Sequence, residues 1–168
     1  MTHVELALYS IENYVKTGKT AALPDGLSEE LLNEKAGVFV SLKKHGQLRG
    51  CIGTIMPTKA SVAEEILRNA VSACSEDPRF SPVKENELDE LVCSVDVLKP
   101  AEFVNSLDKL DVKKYGVIVS SGYKRGLLLP NLDGVDSVEE QVAIAMQKAG
   151  IGMSETINLE RFEVVRYT

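Results

Sequence analysis

The sequence predicts an α+β fold: two pseudo-repeated ββαβ lobes with a cleft between them, and an N-terminal helix packed on the lobes. Three observations lead there. Strand-period segments rich in β-branched residues are joined by short turns, which reads as hairpins. Three Ser/Thr-x-x-Glu signatures, Thr2–Glu5, Ser61–Glu64 and Ser137–Glu140, each open an apolar stripe at helical spacing. Finally, the two halves resemble each other. Gly37-Val38-Phe39-Val40-Ser41 answers Gly116-Val117-Ile118-Val119-Ser120. The turn-strand segment 46–50 and the cap 61–64 recur as 122–126 and 137–140, 76 residues later in both cases. Self-similarity at a fixed offset marks repeated units. The lobes are placed at roughly 37–99 and 111–168 of one domain spanning 1–168, with 1–36 as the N-terminal helical segment.

In chain order, Thr2 caps a helix whose stripe is Val4, Ala7, Leu8, Ile11, Tyr14 and Val15, and Gly18 closes it. Pro24-Asp25-Gly26 is a turn, and Ser28 to Leu32 reads as one short helical turn. Val38 to Leu42 and Gln47 to Ile55 form a hairpin around Lys43-Lys44-His45-Gly46. A helix follows from Ser61 to about Glu76, with Val62, Ile66, Leu67, Ala70, Val71 and Cys74 on one stripe. Pro78 stops it by disfavouring helical geometry at Asp77. Leu91 to Leu98 is a strand with Leu91, Cys93, Val95 and Val97 on one face. Residues 101–115 read as a polar loop. A second hairpin spans Tyr115 to Pro130. A helix with stripe Val138, Val142, Ala145, Met146 and Ala149 ends at Gly150, and Ile157 to Tyr167 reads as one further strand.

Composition sets the class. The chain has 168 residues, 44% apolar and 26% charged, enough for a sizeable core. A net charge of −6 and the absence of tryptophan argue against a large nucleic-acid footprint, which needs a basic face. No signal-peptide core and no apolar run of membrane-spanning length occurs, so a cytoplasmic protein is expected. The cysteines Cys51, Cys74 and Cys93 are odd in number and lack CxxC spacing, which indicates neither a disulfide framework nor a zinc site.

The candidate site is Gln47 to Ile55, where Gly50 and Gly53 flank Cys51 inside a strand. Glycine weakens a strand and marks a bulge, a bend or the close approach of a ligand or another backbone. His45 in the hairpin turn reads as an exposed turn residue or, alternatively, as a base to Cys51. Cys51 is the candidate nucleophile or redox thiol, with Arg49 or a basic residue of the hairpin turn favouring the thiolate. The alternative is a small buried packing residue. The repeat supplies a control: Arg49-Gly50 recurs as Arg125-Gly126, whereas Leu127 and Leu129 replace Cys51 and Gly53. Any asymmetric function is therefore expected at Cys51. In Asp77-Pro78-Arg79-Phe80-Ser81-Pro82 the prolines stiffen a loop that holds Arg79, as an anion holder or as a salt-bridge partner of Asp77 or Glu76. No residue cluster has metal-ligand spacing, and no phosphate-binding glycine motif is present.

Leu48-Arg49-Gly50-Cys51-Ile52-Gly53, with GVFVSL at 37–42, DPRFSP at 77–82, LLLPN at 127–131 and KAGI at 148–151, resembles the AMMECR domain family over nearly the whole chain. Asn131 and Leu132 depart from the glutamine and valine expected after LLLP. The resemblance implies an α+β fold of two subdomains with the LRGCIG segment facing a cleft, and it carries over residues 48–53 and 77–80 as site candidates. It implies Memo-like and radical-SAM proteins as partners and brings no established activity. Three functions are expected from this: binding or processing of a small molecule in the cleft, an adaptor role with those partners, or, least favoured, a nucleic-acid-linked regulator. Neither the sequence nor the resemblance names a cofactor, a ligand or an oligomeric state.

Overall fold

The computed structural model describes residues 1–168. In chain order the elements are α1 (His3–Thr17), α2 (Glu29–Asn33), β1 (Val38–Lys44), β2 (Gln47–Gly53), α3 (Val62–Ser75), a 3-10 helix (Glu85–Glu90) and β3 (Leu91–Leu98). They continue with β4 (Glu102–Val104), a 3-10 turn (Leu107–Lys109), β5 (Gly116–Ser121), β6 (Lys124–Leu128), α4 (Val138–Ala149), β7 (Asn158–Phe162) and β8 (Val164–Tyr167). The α+β class is as expected. The chain divides into two compact units, Met1–Leu98 with Val165–Thr168, and Lys99–Val164.

In the first unit a four-stranded sheet has the order β2-β1-β3-β8. Val38, Val40 and Leu42 alternate along β1 and are buried with Cys93 and Val95 of β3, beneath Ile66, Ala70 and Cys74 of α3. Helix α1 adds Leu6, Ala7 and Ile11 to the same core. Its fully buried line lies a little to one side of the expected stripe, since His3 and Ser10 are buried while Val4, Leu8, Tyr14 and Val15 are half-buried. The Ser10 hydroxyl meets its desolvation by donating to the Leu67 carbonyl at 2.8 Å. Helix α3 is buried nearly all round, including Glu65 and Asn69.

In the second unit the order is β4-β7-β5-β6, with α4 packed over β5 and β6. Val117 and Val119 of β5, Leu128 of β6 and Val142, Ala145 and Met146 of α4 make its core. Both sheets therefore share one order: second hairpin strand, first hairpin strand, the strand after the helix, then an added edge strand. Both also bring helix and strand together at a glycine. A Cβ on Gly50 would lie 2.2 Å from the Ala73 carbonyl oxygen of α3, and one on Gly126 2.1 Å from the Ala145 carbonyl oxygen of α4.

Several expectations need correction. All three helices carry their serine or threonine N-cap, but the reciprocal glutamate bond back to the cap forms only at Thr2–Glu5. Glu64 reaches one residue further back, to the Ala60 amide at 3.2 Å. Residues 101–115 are not all loop, because β4 pairs with β7 through Val104↔Leu159. The expected terminal strand is two strands in different sheets, parted at Glu163. An unbroken β-pattern with no turn residue records strand character and says nothing about a change of partner. In consequence Arg166 and Tyr167 belong with the first unit and not with the lobe expected at 111–168.

Candidate functional site around Cys51

Register explains what surrounds Cys51. Ser41 of β1 lies opposite Cys51 of β2 and, on its other side, opposite Ser94 of β3. The Cys51 amide turns away from β1 and donates to the Asp77 carboxylate at 3.0 Å, so Ser41 and Cys51 form the pair without mutual backbone bonds. Side chains approach more closely in such a pair. Accordingly the Ser41 hydroxyl and the Cys51 sulfur are 3.2 Å apart, in hydrogen-bond contact. These side chains stand on the sheet face opposite α3, because Gly50 and Ile52 face the helix side. Cys51 is half-buried.

Edge strand β2 is closed at Cys51 by side chains that stand in for another strand. Asp77 takes the outward amide of Cys51, and the Arg79 Nη2 approaches the Cys51 carbonyl at 3.4 Å. The two are themselves joined: Arg79 donates its amide and Nε to one Asp77 oxygen at 3.1 and 3.0 Å, and its Nη2 to the other at 2.8 Å. These bonds from Arg79 hold the Asp77 carboxyl down at about 2, against the opposing pull of burial. A stiff loop and a buried carboxylate thus fix a guanidinium whose side chain is 55% exposed.

A second arginine comes from the far end of the chain. Arg166 of β8 donates Nε and Nη2 to Asp96 of β3 at 2.7 and 3.0 Å, and Asp96 is buried. Arg79 and Arg166 are each raised in pKa first by their own aspartate and, more weakly, by the negative charge Cys51 carries when ionised. By contrast, burial pushes the Cys74 thiol up to about 11 and the Cys93 thiol to about 12. The three cysteines form no disulfide.

The remaining candidates separate from this group. Arg49 is a strut: Nε and Nη2 grip Glu87 at 3.0 and 3.1 Å, and Nη1 donates to the Ser81 carbonyl at 2.9 Å. It holds the 3-10 helix and the 77–83 loop against β2, and the Glu87 carboxyl is lowered to about 2 chiefly by it. His45 sits exposed in the hairpin turn at φ 52° beside Glu90 at 3.6 Å. It lies four residues beyond Ser41, the pair of Cys51, or about 13 Å at roughly 3.3 Å per residue. The space a side chain at Gly50 would need is taken by the Ala73 carbonyl. At Gly53 a Cβ would lie 2.3 Å from the Phe39 ring and 2.5 Å from the Val38 carbonyl oxygen. Both glycines are therefore accounted for by packing of the chain on itself: of the close approaches weighed for them, the structure shows another backbone at Gly50, and a backbone and an aromatic ring at Gly53.

Sequence reasoning missed Ser41, Asp96 and Arg166. Hairpin register around the 43–46 turn carries the signal for Ser41. The signal for the other two was Asp96 itself, a carboxylate in the otherwise apolar strand Leu91–Leu98 that must find a cation if buried. Chemically the group can stabilise negative charge on sulfur and orient a small polar or anionic molecule. Its carboxylates are engaged by arginines and no histidine lies within the group, so a proton acceptor for general-base work is not part of it.

Comparison with known proteins now decides the lineage. The AMMECR1 family model matches residues 4–168. The chain belongs to the AMMECR1 family. A protein of Thermotoga maritima is 51% identical over 167 residues, covering 98% of this chain and 96% of its own length. A Clostridium acetobutylicum protein is 51% identical over 166 residues, covering 98% of this chain but 35% of its own length, so this chain spans about a third of that relative. The crystal structure of an uncharacterized protein from Pyrococcus horikoshii is 36% identical and superposes with a TM-score of 0.90, over 98% of this chain and 88% of that one. No helix of this AMMECR1 protein is long and apolar enough to cross a membrane.

Proposed function

We propose that the first unit of this AMMECR1 protein binds or processes a small molecule at Cys51, with the thiol as nucleophile or redox group. The carrying observation is the half-buried sulfur 3.2 Å from the Ser41 hydroxyl, in the field of Arg79 and Arg166. A hydroxyl able to donate to sulfur and guanidiniums in the same unit favour a thiolate, the reactive form of cysteine. Arg79, held by Asp77 and half-exposed, orients an anionic group of the ligand. The reading places the protein in a reducing compartment such as the cytoplasm.

Iodoacetamide labelling of the native chain at about pH 7 tests this. Cys51 is expected to alkylate faster than a model peptide thiol, while Cys74 and Cys93 stay unmodified until unfolding. Arg79→Ala is expected to slow the reaction. Alkylation of Cys51 no faster than the model thiol overturns the nucleophile reading.

A second reading, an adaptor working with Memo-like and radical-SAM proteins, is favoured by the Clostridium relative, in which a region like this chain is joined to about twice its length of further sequence. Here Cys51→Ser preserves partner binding, and absence of binding to purified partners at micromolar concentration counts against it. A nucleic-acid-linked regulator is the weakest reading, since the chain carries −6 net charge.

A further inference from the structure

Strand β8 is a four-residue edge strand beside β3, held from both faces of the first sheet. Asp96 and Ser94 of β3 share a face, and Ser94 lies opposite Ser41, which lies opposite Cys51. Arg166, bonded to Asp96, therefore stands on the Cys51 face. The next residue, Tyr167, turns to the other face and packs against the core that α1 helps to build. There the His3 ring of α1 stacks on it, with centroids 3.7 Å apart and planes 5° from parallel. The Tyr167 hydroxyl donates to Glu30 of α2 at 2.8 Å, and burial pushes its pKa up to about 12, so it stays a donor.

We propose that His3 is the trigger of an acid-sensitive latch: neutral, it clamps Tyr167 and keeps Arg166 on the Cys51 face; protonated, it lets β8 leave the sheet. Histidine is the side chain whose charge ordinarily changes nearest to neutral pH, and this one is only 6% exposed. Burial lowers its pKa below the ordinary 6.5, against the pull of Glu30 and Glu34. Geometry gives the reason burial wins. Glu30 Oε1 is 3.9 Å from His3 Nε2, beyond hydrogen-bond reach, and the same oxygen already accepts from Tyr167. Charged groups on the other packed elements are engaged elsewhere. On α3, Glu65 serves Thr54, Thr58 and Lys59, Glu64 serves Ala60, and Arg68 pairs with Glu76. Asp96, the one charge of β3, is on the opposite face with Arg166, and Glu5 of α1 is bonded to the Thr2 amide. With its pKa lowered in the closed state, His3 binds fewer protons there than when released. Stability of the closed state therefore declines as pH falls through 6.5 toward the lower value. The latch stands on this cluster alone, and its hold on Cys51 rests on the thiol reading proposed above.

The test compares the full chain, labelled with nitrogen-15 and carbon-13, with His3→Phe, which keeps a flat ring on Tyr167 and cannot take a proton. Both are followed by NMR from about pH 7.5 to about pH 5, a range that spans the titration of histidine. In the parent the His3 ring is expected to titrate below 6.5. Protection of the β8 amides from hydrogen exchange should be lost along the same curve, while β1 and β2 keep theirs, the mark of local opening. In His3→Phe the β8 protection factors should stay constant. Iodoacetamide labelling of Cys51 should be equal in the two chains at the upper pH and slower in the parent at the lower. A His3 midpoint at or above 6.5, β8 protection that ignores the His3 titration, or an equal loss in His3→Phe overturns the latch. Titration and exchange in the parent decide alone if the variant does not fold. A labelling ratio constant across the range overturns the hold on Cys51. Labelling no faster than a model thiol in both chains at neutral pH fails the thiol reading instead, and β8 exchange still decides the latch.

Discussion

Asp77 does two tasks with one carboxylate: it caps the outward amide of Cys51 and it fixes Arg79. Each explains why its pKa falls from 3.8 to about 2. A carboxyl depressed in the folded state stabilises fully above its unfolded value and loses that contribution as pH falls toward the folded value. Glu87, lowered from 4.5 to about 2 by Arg49, behaves the same way. Urea unfolding should therefore show stability falling between about pH 5 and pH 2, with Asp77 contributing on the order of 1 kcal/mol after screening of the exposed Arg79. Asp77→Asn should flatten that part of the profile and slow alkylation of Cys51, as Arg79 loses its anchor. An unchanged slope in the variant would show that Asp77 is not the titrating group.

At the scale of elements, glycine is what lets a strand touch a helix. Gly50 and Gly126 each lie under a helix carbonyl with no room for a methyl group. Gly50→Ala must push α3 away from β2, and is expected to destabilise the chain by about 3 kcal/mol, in the range of overpacked cores. Gly126→Ala should do the same through α4. As a control, Gly46 stands at φ 76° with open space around it, so Gly46→Asn should change the urea midpoint little. A near-neutral Gly50→Ala would mean that strand and helix separate easily. Another element-scale device is Glu65, fully buried on α3. It accepts the amides of Thr58 and Lys59 at 2.7 and 2.9 Å and the hydroxyls of Thr54 and Thr58 at 2.9 and 2.7 Å. Four donors satisfy one carboxylate and shape the loop that follows β2.

At the scale of the molecule, the first unit is completed by residues from the end of the chain. Arg166 neutralises Asp96, which is 2% exposed, and Tyr167 donates to Glu30 at 2.8 Å while stacking on His3. Arg166→Ala leaves a buried carboxylate without its cation and is expected to cost about 3 kcal/mol, the range for breaking a buried pair. The double variant Asp96→Asn with Arg166→Ala should recover part of that loss, and thermal unfolding of the three variants measures the coupling. Full additivity would show that the pair contributes nothing jointly.

Much of this was legible beforehand because it is local. Caps at Thr2, Ser61 and Ser137, the left-handed closures at Gly18 and Gly150, and both hairpins follow from neighbours a few residues apart. Alternation in Leu91–Val97 likewise named the apolar face, since a strand's side chains change face at every residue. The sequence by itself therefore determined the α+β class, the elements and their apolar faces, and it singled out Cys51 as the exceptional residue of the first hairpin. Only the tertiary structure decided what Gly50 and Gly53 are for, that Arg49 is a strut, that Ser41 touches the Cys51 sulfur while Asp77 and Arg79 hold its backbone, and that Arg166 pairs with Asp96. The reason is physical: pairing across 70 residues, as between Asp96 and Arg166, depends on which strands become neighbours, and no local propensity records that choice.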